Sequence, residues 1–136
     1  MTEAEMVDNV LRKLRQKNIK VYKEIGFLSR SLDLVIHEAD DTFTVIEFKR
    51  NDWKRGLKQV KTALLGAEKV YICTLPVRNI SERMIKEFKN SKAGLFFYDT
   101  KLSFPLEEKI PARNSRLAHP IFKEWLRQAF EDRMDK

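Results

Sequence analysis

Residues 31–49 constrain the fold more than any other stretch of the chain. The run SLDLVIH (31–37) is almost continuously apolar, and so is FTVIEFK (43–49). β-Branched and aromatic side chains dominate both, which reads as two strands. Asp40 and Asp41 supply turn chemistry between them. A connection this short makes the pair an antiparallel hairpin. Each run also carries a carboxylate where an apolar residue is expected, Asp33 in the first and Glu47 in the second. A carboxylate buried alone is costly, so Asp33 needs a partner or a cleft. The period of two puts Glu47 and Lys49 on one face, with Ile46 and Phe48 on the other. Paired as a hairpin, the strands let Asp33 and Glu47 converge. Two such carboxylates repel, and a divalent cation relieves the repulsion. Oxygen-only ligands suit Mg²⁺ or Mn²⁺.

Helices and strands interleave around this hairpin. Met6, Val7, Val10, Leu11 and Leu14 form an apolar stripe that predicts a helix over 3–17, with Thr2 as its cap and Glu3 and Glu5 near its positive end. A short strand is expected over 20–25, followed by a turn. After the hairpin, Trp53, Leu57, Val60 and Leu64 mark a helix over 51–65, stopped by Gly66. Residues 69–75 and 93–98 read as strands. Between them lies a helix over 80–90 with Asn79 as cap and Glu82 three residues on. Residues 100–118 are irregular, with room for one edge strand. Pro120 opens a last helix, whose buried side is expected to be Phe122, Trp125, Leu126, Ala129 and Phe130. The order α-β-β-β-α-β-α-β-α predicts an α/β fold, a mixed central sheet flanked by helices, as one domain over 1–136.

Composition removes several function classes. At 136 residues and 43% apolar, with four Gly and four Pro, the chain is neither disordered nor fibrous. No apolar run approaches the ~20 residues of a membrane span. The first twenty residues are charged and amphipathic and do not read as a secretory signal. Cys73 is the single cysteine, which leaves no disulfide or thiolate metal cage and suggests a reducing, cytoplasmic compartment. Phosphate-loop, dinucleotide-turn and nucleophile-elbow motifs are absent. With only His37 and His119, a histidine metal cluster is not expected, and structural roles are. The 27 basic residues against 20 acidic ones point to a polyanionic partner, nucleic acid above all.

The acid-x-Lys tripeptide by itself says little in so charged a chain. It occurs at Glu47/Lys49 and again at Asp52/Lys54, Glu87/Lys89, Asp99/Lys101 and Glu107/Lys109. Context separates the first pair: it ends an apolar strand, follows a second apolar strand bearing an Asp, and precedes an amphipathic helix. In that context SLDLVIHEADDTFTVIEFKR, followed by GLKQV, resembles the PD-(D/E)XK nuclease superfamily, with its restriction-endonuclease-like fold. It is similar to archaeal Holliday-junction resolvases and RecB-type nuclease modules. Asp33 matches the family Asp, Glu47-Phe48-Lys49 its acid-x-Lys, and Gln59 the glutamine of the next helix. Glu3-Ala4-Glu5-Met6-Val7 resembles the start of the family's first helix. Leu32 stands where the eponymous Pro would be, at a position that varies in the family. Glu3 shares the inward stripe of its helix and is chosen as the accessory acid, with Glu5 and Glu24 as the alternatives.

The resemblance implies a metal-dependent nuclease hydrolysing phosphodiester bonds, most of all in DNA. Asp33, Glu47 and the Phe48 backbone carbonyl would hold Mg²⁺ or Mn²⁺. Lys49 would orient a water and stabilise charge on the phosphate, with Gln59 and Glu3 as further catalytic groups. Arg30, Arg50, Lys54, Arg55, Lys58 and Lys61 are the expected nucleic-acid contacts, and Lys54, Lys58 and Lys61 fall on one helical face. Arg113 and Arg116 are weaker candidates. Trp53 reads as a core residue, with base stacking as the alternative. Specificity in so small a chain would come from a homodimer, a partner subunit or substrate shape. The alternative function is a catalytically silent nucleic-acid-binding module or regulatory subunit with the same fold.

Overall fold

The computed structural model describes residues 1–115 and 119–134. In chain order the elements are α1 (Glu3–Gln16), β1 (Lys20–Phe27), β2 (Arg30–His37), β3 (Phe43–Phe48), α2 (Trp53–Ala63), β4 (Lys69–Thr74), α3 (Glu82–Ser91), β5 (Gly94–Tyr98), β6 (Leu106–Ile110) and α4 (Pro120–Met134). The six strands form one sheet in the order β1-β2-β3-β4-β5-β6. β1, β2 and β3 run antiparallel in succession, β3, β4 and β5 run parallel through the α2 and α3 crossovers, and β6 returns antiparallel. The result is a single α/β domain with a mixed sheet and helices on both faces, as the interleaved pattern predicts.

The two faces of the sheet bury different sets. Met6, Val7, Val10, Leu11 and Leu14 of α1 pack on Leu34, Ile36, Ile46, Phe48, Tyr71 and Cys73. On the other face, Val35, Phe43, Val45, Val70 and Ile72 meet Leu57, Val60 and Ala63 of α2, Met84 and Phe88 of α3, and Leu126 and Phe130 of α4. Strict alternation along β3 and β4 therefore assigns every buried side chain to one helix layer. The Cys73 thiol sits in the α1 layer with its pKa pushed up by burial, so it behaves as a small apolar residue.

Helix starts follow capping chemistry more closely than apolar spacing. Thr2 caps α1 in a reciprocal box with Glu5, whose carboxylate accepts from the Thr2 N–H at 3.1 Å. α2 begins at Trp53, where its apolar stripe begins and two residues later than the expected range, because the Asp52 side chain accepts from the Arg55 N–H. α3 likewise starts after Ser81, not Asn79: the Ser81 hydroxyl takes the Met84 N–H at 3.1 Å. The edge strand β6 shows little periodicity, since only Ile110 is buried within it. On α4, Leu126 and Phe130 are buried and Phe122 and Ala129 half-buried, but Trp125 is 51% exposed and stands off the core, contrary to the apolar-face expectation. Both histidines have structural roles. His37 pairs with Asp41 and stacks on Phe43, and His119 accepts from the Ile121 N–H. No helix among the described residues is long and apolar enough to cross a membrane.

Candidate functional site

The hairpin opens where its two carboxylates lie. The β2–β3 ladder runs from His37↔Phe43 to Leu34↔Ile46, and the next position sets Asp33 opposite Glu47. On the other side of β2, the β1 pairing skips the same point: Lys23↔Leu34 and Ile25↔Leu32 flank Glu24 and Asp33. Glu24 has a positive φ of 56°, a left-handed conformation that interrupts a strand. The alternation of β2 breaks there as well. Leu34 packs in the α1 layer, yet Leu32, two residues away, packs with the α2 layer. With the ladder broken, the Phe48 N–H has no backbone acceptor on β2, and the Asp33 carboxylate takes it at 2.8 Å. The Lys49 N–H turns the opposite way, to the Cys73 carbonyl of β4 at 2.9 Å. On an extended strand the N–H and C=O of one residue leave on the same side, so the Phe48 carbonyl shares the side of the Asp33 carboxylate.

Glu47 is buried, at 5% exposure, at the end of an otherwise apolar strand. Its pKa is pushed far above the ordinary carboxylate range. Burial is the first cause, the negative charge of Asp33 the second, and a hydrogen bond from the protonated Glu47 side chain to Asp33 the third. The Asp33 N–H and the charge of Arg30 act in the opposite sense. A buried carboxyl group kept protonated against a second carboxylate is an arrangement in which a divalent cation could take the place of the proton.

Lys49 follows on the same face as Glu47. Its stem lies under Gly56 of α2: a methyl at Gly56 would come within 2.9 Å of Ile72 Cδ1 and 3.2 Å of Lys49 Cγ. Among the described residues the Lys49 ammonium is in no ion pair within 4.0 Å. Gln59 is half-buried three residues after Gly56 on α2 and makes no hydrogen bond to Asp33, Glu47 or Lys49. Glu5 and Glu3 bind different groups. Glu5 is consumed by its helix cap, whereas the Glu3 carboxylate accepts from the Arg50 N–H at 3.1 Å and so ties α1 to the segment just after Lys49. Glu3, Glu24 and Asp33 line one cleft of about 230 Å³, together with Val7, Asp8 and Lys23.

Among the described residues no three His, Cys, Asp or Glu side chains form a group that could by itself hold a metal ion. The donor set is two carboxylates, Asp33 and Glu47, and one backbone carbonyl. That suits Mg²⁺ in particular, which keeps several waters and is commonly held by one or two carboxylates.

Of the basic residues, Arg30 begins β2 and its charge reaches Glu47. Lys54, Lys58 and Lys61 line a shallow groove of about 370 Å³ between α2 and α3, floored by Leu57 and bordered by Glu87, Asn90 and Ser91. Arg50 and Arg55 are exposed but lie off that groove, and Arg113 is exposed near the opposite end of β5. Arg116 lies outside the described residues. Trp53 is half-buried against Phe88, with ring centroids 5.7 Å apart, so it serves the core. Sequence reasoning missed Gly56, whose role depends on how closely α2 approaches β3 and β4.

No protein-family model matches the chain, and no curated protein matches it. Among solved structures, the SPO1766 protein of Silicibacter pomeroyi, a protein of unknown function, is similar with a TM-score of 0.69 at 15% identity, over 99% of this chain and 88% of that one. The likeness is one of fold.

Proposed function

We propose that the chain is a metal-dependent nuclease of the PD-(D/E)XK kind, hydrolysing phosphodiester bonds in nucleic acid, DNA above all. One observation carries the reading: a second carboxylate, Asp33, stands against buried Glu47 and raises its pKa, with Lys49 two residues further on the same face. A structural ion pair would set a cation, not another anion, against a buried glutamate. The resemblance of the motif and the basic character of the chain agree with the reading.

Asp33, Glu47 and the Phe48 carbonyl would hold the ion. When bound, it supplies Lewis acidity toward a phosphate oxygen and a water. Lys49 brings its ammonium to the same side, where it neutralises charge that develops on the phosphate. The close approach of α2 at Gly56 limits where the Lys49 stem can go. Glu3 holds the backbone that follows Lys49, which keeps the reacting groups in register with α1. Lys54, Lys58 and Lys61 offer cations to the phosphates flanking the scissile bond.

The test is cleavage of labelled linear duplex, single strand, flap, four-way junction and RNA with Mg²⁺ or Mn²⁺. Wild type runs beside Asp33→Ala and Lys49→Ala. Expected is metal-dependent cleavage that falls at least about a thousandfold in both variants. Salt-sensitive binding without cleavage, retained by both variants, would instead make the chain a binding module.

A further inference from the structure

Among the described residues a single buried side-chain oxygen or nitrogen has no hydrogen-bond partner, the Thr74 hydroxyl. Thr74 ends β4 and is 0% exposed. It lies on the α2 face of the sheet: Ile72, two residues before it, packs there, and so does Phe97, its partner on β5. The parallel register that pairs Glu47 with Ile72 and Phe48 with Cys73 continues to set Lys49 beside Thr74. The Lys49 N–H still bonds the Cys73 carbonyl, as that register requires, and the ladder slips by one residue just beyond, where the Leu75 N–H bonds the Arg50 carbonyl at 3.0 Å. The Lys49 stem is on this same face, against Gly56. Two adjacent positions thus carry an ammonium without an ion pair and a hydroxyl without an acceptor or donor. Valine has nearly the shape of threonine and would fill the site without burying a lone hydroxyl.

We propose that Thr74 is a positioning residue for Lys49. Its hydroxyl oxygen has no partner in the conformation described and takes a direct hydrogen bond from the Lys49 ammonium when that side chain turns onto it, which selects one conformation of a long flexible side chain. This rests on the role proposed above for Lys49, and the experiment separates the two. The first measurement needs no turnover: a double-mutant cycle of Thr74→Val and Lys49→Met, read as unfolding equilibrium constants. Methionine keeps an apolar stem against Gly56. Coupling of about fivefold or more beyond the product of the single effects supports the pairing, and additivity within about twofold overturns it. The second is kinetic. Thr74→Val, at least as stable as wild type, should lose about tenfold in kcat with KM unchanged, and Thr74→Ser should restore it. A Thr74→Val protein with wild-type kcat would overturn the proposal. Coupling in the cycle together with no cleavage by wild type would support the pairing and sink the nuclease reading instead.

Discussion

Glu47 is the buried charge-bearing residue of the candidate site, and the fold holds it at a cost. Its pKa is raised in the folded chain, so between its unfolded value and its folded value the native state binds more protons than the unfolded one. Stability from this group is fully present below the unfolded pKa and is lost as pH rises through the folded one. Glu47→Gln removes the dependence. Without added metal the variant should unfold at the same denaturant concentration as wild type near pH 4. It should become more stable by on the order of 2 kcal/mol at pH 8. A wild type that gains stability on Glu47 between pH 5 and pH 8, relative to this variant, would mean that Asp33 does not face it as described. Asp33 and the Glu47/Lys49 pair were legible in the sequence because a charge inside an apolar strand is conspicuous. Thr74 was not, since a threonine at a strand end is ordinary until the register shows what stands beside it. Glu3 could be preferred to Glu5 from the helical stripe alone, but what each carboxylate binds, Arg50 N–H or Thr2 N–H, is a tertiary fact.

At the scale of elements, α2 does more than cover the sheet. Gly56 in its first turns lets the helix sit directly on Ile72 and the Lys49 stem. Gly56→Ala gains about 1 kcal/mol of helix propensity and loses about 1–3 kcal/mol by overpacking, for a net destabilisation on the order of 1 kcal/mol. Its effect on cleavage should be the larger one, at least about tenfold, because the displaced group is Lys49. Equal activity at reduced stability would show that α2 does not set the position of Lys49. Apolar patterning, cap residues and β-branched runs together located every helix and five strands, while the caps actually used decided the boundaries: Asp52 and Ser81 start α2 and α3 two residues later than the expected ranges. The kink at Glu24 was not legible, because a glutamate gives no sign of a positive φ before its partner strand is in place. Nor was the exposure of Trp125, since the side of α4 that meets the sheet is the one carrying Leu126 and Phe130.

For the whole molecule, the carboxylate pair and the lysine groove share one face of the sheet. The carboxylate pair lies where β2 and β3 part, and the lysine groove lies between α2 and α3 on the same face of the sheet as Glu47 and Lys49. On the proposed function, the basic surface of a chain of net charge +7 predicts nucleic-acid binding that weakens with salt, log K falling linearly in log salt concentration. Replacing Lys54, Lys58 and Lys61 together by Gln should reduce that slope by about 2–3 units on duplex DNA while leaving the unfolding free energy within about 1 kcal/mol. An unchanged slope would remove the groove from the binding surface. Whether Asp33 and Glu47 form one cation site is read by calorimetric titration of the metal-free protein with Mn²⁺ at pH 7. Two buffers of different ionisation enthalpy then count the protons released. One ion should bind with release approaching about one proton, and binding should be lost in both Asp33→Asn and Glu47→Gln. Binding of Mn²⁺ that survives in both variants, or no binding by wild type, would contradict a shared cation site.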